Sequence, residues 1–313
     1  MVISRETVAS TLTHKNNVTL EKEFETKVIM RDYQNAFSID VSRLFDGVEK
    51  IQLYRCNQTG YRFFYPLHIA GDSQFYEELQ RFPWYYMDWK WEHATVQAQI
   101  GTAHKILEIG CAKGAFIEKL SNDGLQCTGL EFNEDAIDVC LRKGLDVRSE
   151  SIQSHAKRFP DCYDIVCSFQ VMEHIAPIGE VLEASINTLK KGGRLFISVP
   201  NNKSFLGYDW NILNLPPHHM GLWDKPSLKN IEKAFPELKV KNFFFEPLQE
   251  YHVEYYNRVF PKIRKEFEKK YVRRFGLVGK ILNKIMAKIT DKQYASLHPT
   301  LENYTVIAEY IKK

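Results

Sequence analysis

From Lys105 onward the chain alternates short apolar runs with amphipathic stretches, and this alternation limits the fold more than any other feature of the sequence. The apolar runs are KILEIG, CTGLEF, YDIVCSF and RLFISVP, and helical patterns such as EDAIDVCLRKG and APIGEVLEASINTLKKGG lie between them. Such alternation predicts βαβ units with a parallel sheet. We expect Gly192 and Gly193 to end the last of these helices as a C-cap. The fold class is therefore α/β.

The segment before this alternation is rich in aromatic residues. Residues 61–91 hold twelve of the 41 aromatic residues of the chain. The sequence predicts a hairpin that turns near Asn57–Gly60, followed by a helix at about Ser73–Gln80. Two interpretations are open, a cover packed on the main domain or a lid over a ligand. We expect residues 1–100 to form this cover and residues 101–313 the main domain.

The overall composition is that of an ordinary globular protein. In 313 residues, 44% are hydrophobic and 26% charged, which excludes wholesale disorder and collagen-like repeats. The six cysteines form no C-x-x-C pair, so we expect reduced thiols and neither a zinc ribbon nor a disulfide scaffold. The first residues, MVISRETVASTLTHKNN, lack a signal-peptide pattern, and no window approaches 18 uninterrupted apolar residues. These features predict a cytoplasmic protein.

Positive charge is concentrated in residues 261–292. This segment has eleven Lys or Arg against three acidic residues, a local excess of +8, in a chain of net charge +3. Helical spacing predicts one apolar face and a row of lysines beside it. The apolar face comprises Ile281, Leu282, Ile285, Met286 and Ile289, and the row comprises Lys280, Lys284 and Lys288. The alternatives are a solvated basic face on a docked helix, and contact with an anionic membrane surface or a phosphate-bearing substrate.

The most specific motif is ILEIGCAKGAF, in which an apolar strand runs through Glu108 into a turn with Gly110 and Gly114 before a helix. Glycines allow a tight turn and close approach of a ligand, and the helix start offers free N–H donors. The next predicted strand ends in Glu131, 21 residues after Gly110. This spacing places a carboxylate beside ribose hydroxyls in nucleoside-binding α/β domains. We therefore predict a nucleoside site.

The same motif discriminates between nucleoside cofactors. A dinucleotide site requires G-x-G-x-x-G, whereas this turn has Gly110 and Gly114 only, with Glu108 directed into it. A carboxylate repels a pyrophosphate but attracts a cofactor with an ammonium group. This difference favours S-adenosylmethionine over NAD.

With these residues the sequence resembles the class I S-adenosylmethionine-dependent methyltransferases, in the subgroup of ubiquinone-biosynthesis-like and sugar-modifying O-methyltransferases. The resemblance covers about residues 104–245 and the last strand. The family signature of an acid followed by three alternate glycines has Ala112 in place of the middle glycine. The resemblance implies a Rossmann-like, seven-stranded, mostly parallel sheet with helices on both faces. To this sheet the residue patterns described above add the aromatic-rich N-terminal cover and a basic helical insertion at about 250–295, before the last strand.

The resemblance also implies a cofactor-binding set. The methionine end would be held by Glu108 and the backbone at Gly110, Cys111, Ala112 and Gly114. Glu131 would bind the ribose hydroxyls, Phe132 and Asn133 would lie beside the adenine, and Ser151 and Ile152 would flank it. Glu150 is an alternative to that last pair. Phe169 and Gln170 would approach the methyl donor, and Tyr85, Tyr86, Trp89 and Trp91 would close the site.

On the acceptor side, two segments are predicted to reach the same crevice. FQVMEHIAP supplies Glu173 and His174, and the proline-rich loop supplies His218 and His219. A hydroxyl acceptor benefits from a general base, and His219 is the first choice because its P-P-H-H loop resembles the acceptor loop of the subgroup. The spacings match no specific metal-site pattern, so we predict no metal ligand, and metal dependence stays open.

These observations predict O-methylation of a hydroxyl on a sugar, nucleotide-sugar or lipid-linked glycan precursor, as in polysaccharide biosynthesis. The alternatives are methylation of a quinone or polyketide phenol, and a non-catalytic scaffold. A nucleic-acid substrate is disfavoured because the fourth strand ends in FQVM and lacks the N-P-P-[YF] run that engages base amines. The partner would be a small-molecule or glycan acceptor, with peripheral contact at the inner membrane surface through residues 261–292 as a further expectation. The oligomeric state stays open.

Overall fold

The computed structural model describes residues 8–85, 87–286 and 303–313. The strands are β1 (Val18–Glu25), β2 (Lys50–Cys56), β3 (Arg62–Tyr65), β4 (Lys105–Ile109), β5 (Gln126–Leu130), β6 (Asp146–Arg148), β7 (Tyr163–Phe169), β8 (Leu189–Pro200), β9 (Gly221–Leu222), β10 (Leu238–Phe245) and β11 (Thr305–Lys312). The α-helices are α1 (Thr26–Phe37), α2 (Ser73–Leu79), α3 (Trp91–Gln97), α4 (Ala115–Asn122), α5 (Glu134–Arg142), α6 (Ile152–Arg158), α7 (Ile178–Thr188), α8 (Lys225–Lys229) and α9 (Glu250–Met286).

The main sheet has seven strands in the order β10-β11-β8-β7-β4-β5-β6. The pairs among β4 to β8 are parallel, and β11 is antiparallel to both of its neighbours. This arrangement confirms the predicted Rossmann-like, mostly parallel sheet with helices packed around it. The strand order reverses between β4 and β7, and such a reversal opens a crevice at the carboxyl ends of the strands.

The central strands of this sheet are mostly apolar because helices cover both faces. Leu107 and Val166 belong to the core on one face. Ile106 and Ile165, one position away on the same strands, belong to the core on the other face. All four side chains are fully buried, so the middle of the sheet forms a rigid base for the loops at its carboxyl edge.

A second, antiparallel sheet has the order β1-β2-β3-β9 and lies in the N-terminal part of the chain. The β2–β3 hairpin and the helix Ser73–Leu79 occur where the sequence predicts them. The last strand, however, is β9, which comes from the segment after β8. Tyr61 of the cover and Trp223 of that segment pack together with tilted rings, whose centroids lie 4.1 Å apart. The two parts of the chain therefore share a core, and the division at residue 100 stays a prediction.

The predicted C-cap at Gly192 and Gly193 is wrong. The helix α7 ends at Thr188, and Leu189 is already extended. The pairing of β7 with β8 jumps from Tyr163↔Leu189 to Ile165↔Arg194, so the residues between Leu189 and Arg194 form a bulge at the start of β8. Gly192 has φ 77°, and glycine commonly supplies this conformation at bulges.

The basic segment forms a helical hairpin. The helix α9 is broken at Gly276, whose φ and ψ are 54° and −123°. The Asn283 side chain donates to the Glu268 carbonyl at 2.8 Å, although 15 residues of straight helix would separate them by about 22 Å. The second arm therefore folds back along the first. The predicted Lys288 and Ile289 lie outside the described residues, and none of the described helices combines the length and apolarity needed to cross a membrane.

Candidate active site

A cavity of about 1770 Å³ lies at the carboxyl edge of the main sheet, between the strand ends and the cover. Most of the residues predicted to bind the cofactor or the acceptor line it. They are Glu108, Gly110, Cys111, Ala112, Glu131, Phe132, Asn133, Ser151, Ile152, Phe169, Gln170, Glu173, His174, His218 and His219. Gly114 lies at the start of α4, between two lining residues, and Tyr86 lies outside the described residues. The structure thus brings both predicted ends together in one space.

The glycine turn follows β4 and leads into α4. Gly110 has φ +71°, and a Cβ on it would lie 2.5 Å from Cγ2 of Val171. The N–H groups of Gly110 and Cys111 donate to the Leu130 carbonyl at 2.8 and 3.1 Å, which fixes the turn against the end of β5. Only glycine has the left-handed freedom and the small volume needed here. Ala112 also has a positive φ, 46°, a conformation that disfavours residues other than glycine.

Glu108 is buried beneath this turn without a polar partner for one oxygen. Its Oε2 accepts no hydrogen bond from any described residue, and only 3% of the residue is exposed. Burial raises the pKa of Glu108 to about 8, opposed by Lys90 and reinforced by Glu131. An unpaired buried carboxyl is unfavourable unless a ligand supplies a donor or a positive charge. The site is therefore suited to a cationic group above Glu108.

Glu131, just after β5, organises two loops at once. Its Oε1 accepts from the N–H groups of Phe132 and Asn133 at 2.8 and 2.9 Å. Its Oε2 accepts from the N–H of Ala112 at 2.9 Å. The carboxylate thus links the glycine turn to the loop after β5, and Oε2, with one donor, keeps a lone pair for a ligand hydroxyl. The sequence pattern predicted the ligand contact but not the structural link.

The predicted adenine end lies farther along the same edge. Asn133 caps α5 by accepting from Ala136 N at 2.8 Å, and the Phe132 ring is 66% exposed. Ser151 caps α6, and Ile152 is buried. Glu150 is paired with His155, at 2.8 Å, and with Arg158. Because two basic groups already hold it, Glu150 is less available to a ligand than the Ser151–Ile152 pair.

The end of β7 joins the two halves of the cavity. Phe169 packs edge-on against Phe116 and His93, with ring centroids 4.9 and 4.8 Å apart. Gln170 has φ 57°, and its Nε2 is 3.4 Å from the Ser198 hydroxyl. Left-handed residues other than glycine concentrate at functional sites, where the surrounding structure holds them. Gln170 therefore has a fixed position between the cofactor end and the acceptor end.

The aromatic cover reaches the cavity with some of its predicted residues. Tyr85 lines the cavity, and its ring lies 6.1 Å from that of His218. Trp89 packs on His93 at 5.2 Å, whereas Trp91 packs against the buried core behind β4. The cover therefore contributes wall residues on one side and core residues on the other.

Three histidines meet at the acceptor end, brought together by backbone pairing. The N–H groups of Met220 and Gly221 both donate to the Glu173 carbonyl, at 2.7 and 2.9 Å. Next to this junction the ring of His174 lies 4.5 Å from that of His218 and 5.0 Å from that of His219. The loop after β7 and the P-P-H-H loop are thus held side by side, although 44 residues separate His174 from His218.

These histidines are neutral in their surroundings. Burial lowers the pKa of His174 to about 4. Burial also holds the pKa values of His218 and His219 well below the usual range, and each neighbouring imidazole lowers them further. Neutral imidazoles present lone pairs to the cavity. A general base works best with a pKa near the working pH, so the predicted role of His219 stays a prediction that these low values weaken.

Comparisons with known proteins agree with this geometry. Residues 84–235 match a family model described as a methyltransferase domain. The ubiquinone biosynthesis O-methyltransferase of Photorhabdus laumondii is 32% identical over 103 residues, 31% of this chain and 43% of that protein. The protein of the same name from Yersinia enterocolitica is 33% identical over 110 residues, 33% of this chain and 46% of that protein. The chain thus spans less than half the length of these curated relatives.

The family match covers the glycine turn, Glu131 and the histidine cluster together, within the strand order described above. The chain carries a class I S-adenosylmethionine-dependent methyltransferase domain. A crystal structure of a SAM-dependent methyltransferase from Archaeoglobus fulgidus, 21% identical, has a TM-score of 0.48 over 77% of this chain and all of that chain.

S-adenosylmethionine is the cofactor of this domain, and the residues present fit it. The orphaned oxygen of Glu108 lies at the turn where the ammonium group of a methionine moiety would be attracted. Gly110 lines the cavity without a side chain, so a ligand can approach its backbone closely. Oε2 of Glu131 has a free lone pair for a ribose hydroxyl. The methyltransferase domain therefore offers one acidic residue to the methionine moiety of the cofactor and another to its ribose.

Two buried acids of the acceptor end were missed from the sequence. Glu92, in the first turn of α3, and Glu246, directly after β10, line the cavity and are 3% and 2% exposed. Burial raises the pKa of both carboxyl groups, and each of the two raises that of Tyr251. Glu246 could have been predicted from the sequence, because it directly follows an apolar strand, as Glu131 does. Glu92 gave no comparable signal.

Proposed function

We propose that this methyltransferase domain transfers the methyl group of S-adenosylmethionine to a hydroxyl of a small acceptor molecule. The observation that carries the proposal is the continuity of one cavity from the glycine turn and Glu131 to the histidine cluster. The donor and the acceptor can be held in the same cavity, which methyl transfer requires. The curated relatives match this chain over less than half of their own length, so the activity of the whole protein is part of this proposal.

In this proposal the protein contributes mainly position. S-adenosylmethionine, when bound, supplies an electrophilic methyl group, and alignment of the nucleophile with it supplies much of the rate. Glu108 and the turn hold the methionine end, and Glu131 holds the ribose. The neutral imidazoles of His174, His218 and His219 accept a hydrogen bond from the acceptor hydroxyl and direct its oxygen. The cover excludes water from this end of the cavity.

The polar lining of the acceptor end favours a hydroxyl-rich acceptor. Three carboxyl groups, those of Glu92, Glu173 and Glu246, are at most 3% exposed and line the same cavity. Oε2 of Glu173 and Oε2 of Glu246 have no hydrogen-bond partner among the described residues. Buried polar groups require partners, and a sugar-like molecule supplies several hydroxyls at once. We therefore propose a sugar, nucleotide-sugar or glycan precursor as the acceptor class.

A quinone or polyketide phenol is the second candidate. It is favoured by the curated relatives, which are named as ubiquinone biosynthesis O-methyltransferases. It is also consistent with the rings at the rim of the cavity, such as those of Trp84 and Tyr85. A phenol would use one polar partner and leave the remaining buried carboxyl groups unsatisfied, which is why we place it second.

Binding of the cofactor is tested by calorimetric titration with S-adenosylhomocysteine. We expect micromolar binding that Glu131→Ala weakens by more than about tenfold, or about 1.4 kcal/mol, because the ribose contact and the link to Ala112 are lost together. Asp138→Ala, on the exposed side of α5, is the matched control and should bind as the wild type does. Failure of the wild type to bind would contradict the proposal.

The acceptor class is tested with labelled S-adenosylmethionine and two panels of acceptors, nucleotide sugars and substituted phenols. Transfer to members of the first panel alone would support the sugar proposal, and transfer to phenols alone would replace it. A His218→Ala variant that binds S-adenosylhomocysteine normally should lose transfer to the accepted panel. Normal transfer by that variant would remove the histidine cluster from the acceptor site.

We also propose that the tip of the helical hairpin contacts an anionic membrane surface. At the turn, four apolar residues are 45 to 75% exposed, namely Phe275, Leu277, Val278 and Ile281. Exposed cationic residues surround them, namely Arg273, Arg274, Lys280 and Lys284. An apolar tip with a basic rim is typical of interfacial binding, and it would place the cavity near lipid-linked acceptors.

Co-sedimentation with phosphatidylglycerol vesicles tests this contact. We expect binding that falls with salt, is absent on phosphatidylcholine vesicles and is lost in the double variant Leu277→Asp, Val278→Asp. Val253→Asp, at an exposed apolar position on the first arm, should leave binding unchanged. Equal binding to both kinds of vesicle, or binding by the double variant, would refute the proposal.

A further inference from the structure

We propose that His174, His218 and His219 form a divalent-metal site of the three-histidine kind that binds zinc. One ring nitrogen from each residue lies within 4.8 Å of those from the other two. Among the residues that the structure describes, these three form the group of potential metal ligands whose ligand atoms lie close together. Their spacing in the sequence matches no familiar metal motif, so the site exists only through the pairing of two distant loops.

Each of the three rings makes a hydrogen bond through Nδ1. Nδ1 of His174 lies 2.7 Å from the His218 carbonyl, and Nδ1 of His218 lies 2.9 Å from the Leu213 carbonyl. Nδ1 of His219 lies 3.1 Å from Oδ1 of Asn214. A carbonyl oxygen can only accept, so each Nδ1 carries the proton and each Nε2 keeps its lone pair. Locking Nδ1–H on a carbonyl is the usual way in which proteins orient histidine ligands.

One of these lone pairs has no other use in the described structure. Nε2 of His218 is buried and has no hydrogen-bond partner, although the residue is only 7% exposed. Buried polar atoms without partners are rare in native proteins. Near it, Nε2 of His174 lies 3.9 Å from Oε1 of Glu173, a carboxyl group that can balance the charge of a cation. The cluster thus offers nitrogen lone pairs to a divalent cation and a nearby acid to balance its charge.

Binding would need only a small contraction. Zinc–nitrogen bonds of about 2.0–2.1 Å place tetrahedral ligand nitrogens about 3.3 Å apart, so nitrogens now up to 4.8 Å apart approach by at most about 1.5 Å. Rotation of the imidazole rings provides this movement without a change in the backbone. Three histidines leave a fourth position open, as in catalytic zinc sites.

The open position would face the cavity that all three residues line. With the metal bound, the acceptor hydroxyl would bind at this position instead of donating to the imidazoles, and its oxygen would be polarised and its acidity increased. This last step rests on the proposed function, whereas the presence of the metal site does not.

The test measures metal binding without cofactor or acceptor. Chelator-treated full-length protein is titrated with Zn²⁺ against a chromophoric competitor, and with Co²⁺ for its visible absorption. We expect one zinc ion per chain, the intense visible bands of tetrahedral Co²⁺, and zinc–nitrogen distances of about 2.0–2.1 Å by X-ray absorption. His218→Ala should weaken zinc binding by more than about 100-fold. Asn214→Ala, which removes only an outer partner, should weaken it by about 10- to 100-fold.

His252→Ala is the matched control, because His252 is a partly buried histidine of the same cavity outside the cluster. It should bind zinc as the wild type does, and titration with S-adenosylhomocysteine shows which variants are folded. No zinc uptake by the wild type, or undiminished uptake by folded His218→Ala, would overturn the site. If His218→Ala is unfolded, the absorption spectra of the wild type and the Asn214→Ala titration decide. A metal-binding protein without methyl transfer would contradict only the proposed function.

Discussion

The two ends of the cavity are built in different ways. The cofactor end uses backbone conformation at two neighbouring strand ends, with Glu108 and Glu131 as its charged groups, 23 residues apart. The acceptor end collects Glu92, His174, His218 and Glu246 from four separate segments. One end depends on local geometry, and the other depends on long-range pairing such as the bonds from Met220 and Gly221 to Glu173.

Because of this difference, we expect the two ends to tolerate amino-acid substitutions differently. The cofactor end needs glycine at a defined φ and a carboxylate after a strand, and few other residues meet those demands. The acceptor end needs only that its loops stay paired, so its side chains can be exchanged to suit another acceptor. Substitutions should therefore affect the two ends separately, which the following predictions test.

The largest effect is expected from Gly110→Ala at the cofactor end. The new Cβ would lie 2.5 Å from Val171 Cγ2, at a φ of +71° that alanine disfavours. We expect the affinity for S-adenosylhomocysteine to fall by more than about 100-fold, or about 2.7 kcal/mol, as measured by calorimetry. Gly124→Ala has a similar positive φ but open space around its Cβ, so it should bind normally. Equal losses in both variants would mean that general strain, rather than the turn, is responsible.

Gly221→Ala should affect the acceptor end instead. A Cβ there would lie 2.0 Å from the hydroxyl oxygen of Tyr61, which is fully buried. Overpacking of this kind costs about 1–3 kcal/mol in the free energy of unfolding, measurable by urea denaturation, while cofactor affinity should change little. Adding Tyr61→Phe removes the closest atom and should restore part of the stability. A double variant no more stable than Gly221→Ala would contradict the steric explanation.

Cofactor affinity should depend on pH through Glu108. Burial raises the pKa of its carboxyl group to about 8 in the free protein, with Lys90 opposing and Glu131 and Cys140 adding to the shift. A cationic ligand lowers that pKa, so binding releases a proton. Affinity should therefore rise about fivefold between pH 7 and pH 8, reach about tenfold in all, and level off near pH 9. Titrations across this range check the slope, and Glu108→Gln should abolish it.

The contrast between local geometry and long-range pairing also determines which features could be predicted from the sequence. The parallel sheet and the positions of Gly110 and Glu131 followed from apolar periodicity and local spacing, which require no knowledge of distant contacts. The number of seven strands came from the family resemblance. The bulge at Gly192 did not, because it depends on the register of β8 against β7. Glu92 likewise reaches the acceptor end only through the packing of α3. Contacts that long-range pairing creates leave little trace in local sequence.

The smallest effect is expected from Ala112→Gly, which restores the middle glycine of the family signature. Ala112 has φ 46°, and a left-handed conformation costs an L-residue about 1–2 kcal/mol. Glycine removes that cost but loses about 0.5–1 kcal/mol through chain entropy. The free energy of unfolding should therefore rise by at most about 1.5 kcal/mol, and the affinity for S-adenosylhomocysteine should stay within about threefold, or 0.65 kcal/mol. A tenfold gain in affinity would show that the alanine methyl group reaches into the methionine site, and local geometry alone would then no longer describe the cofactor end.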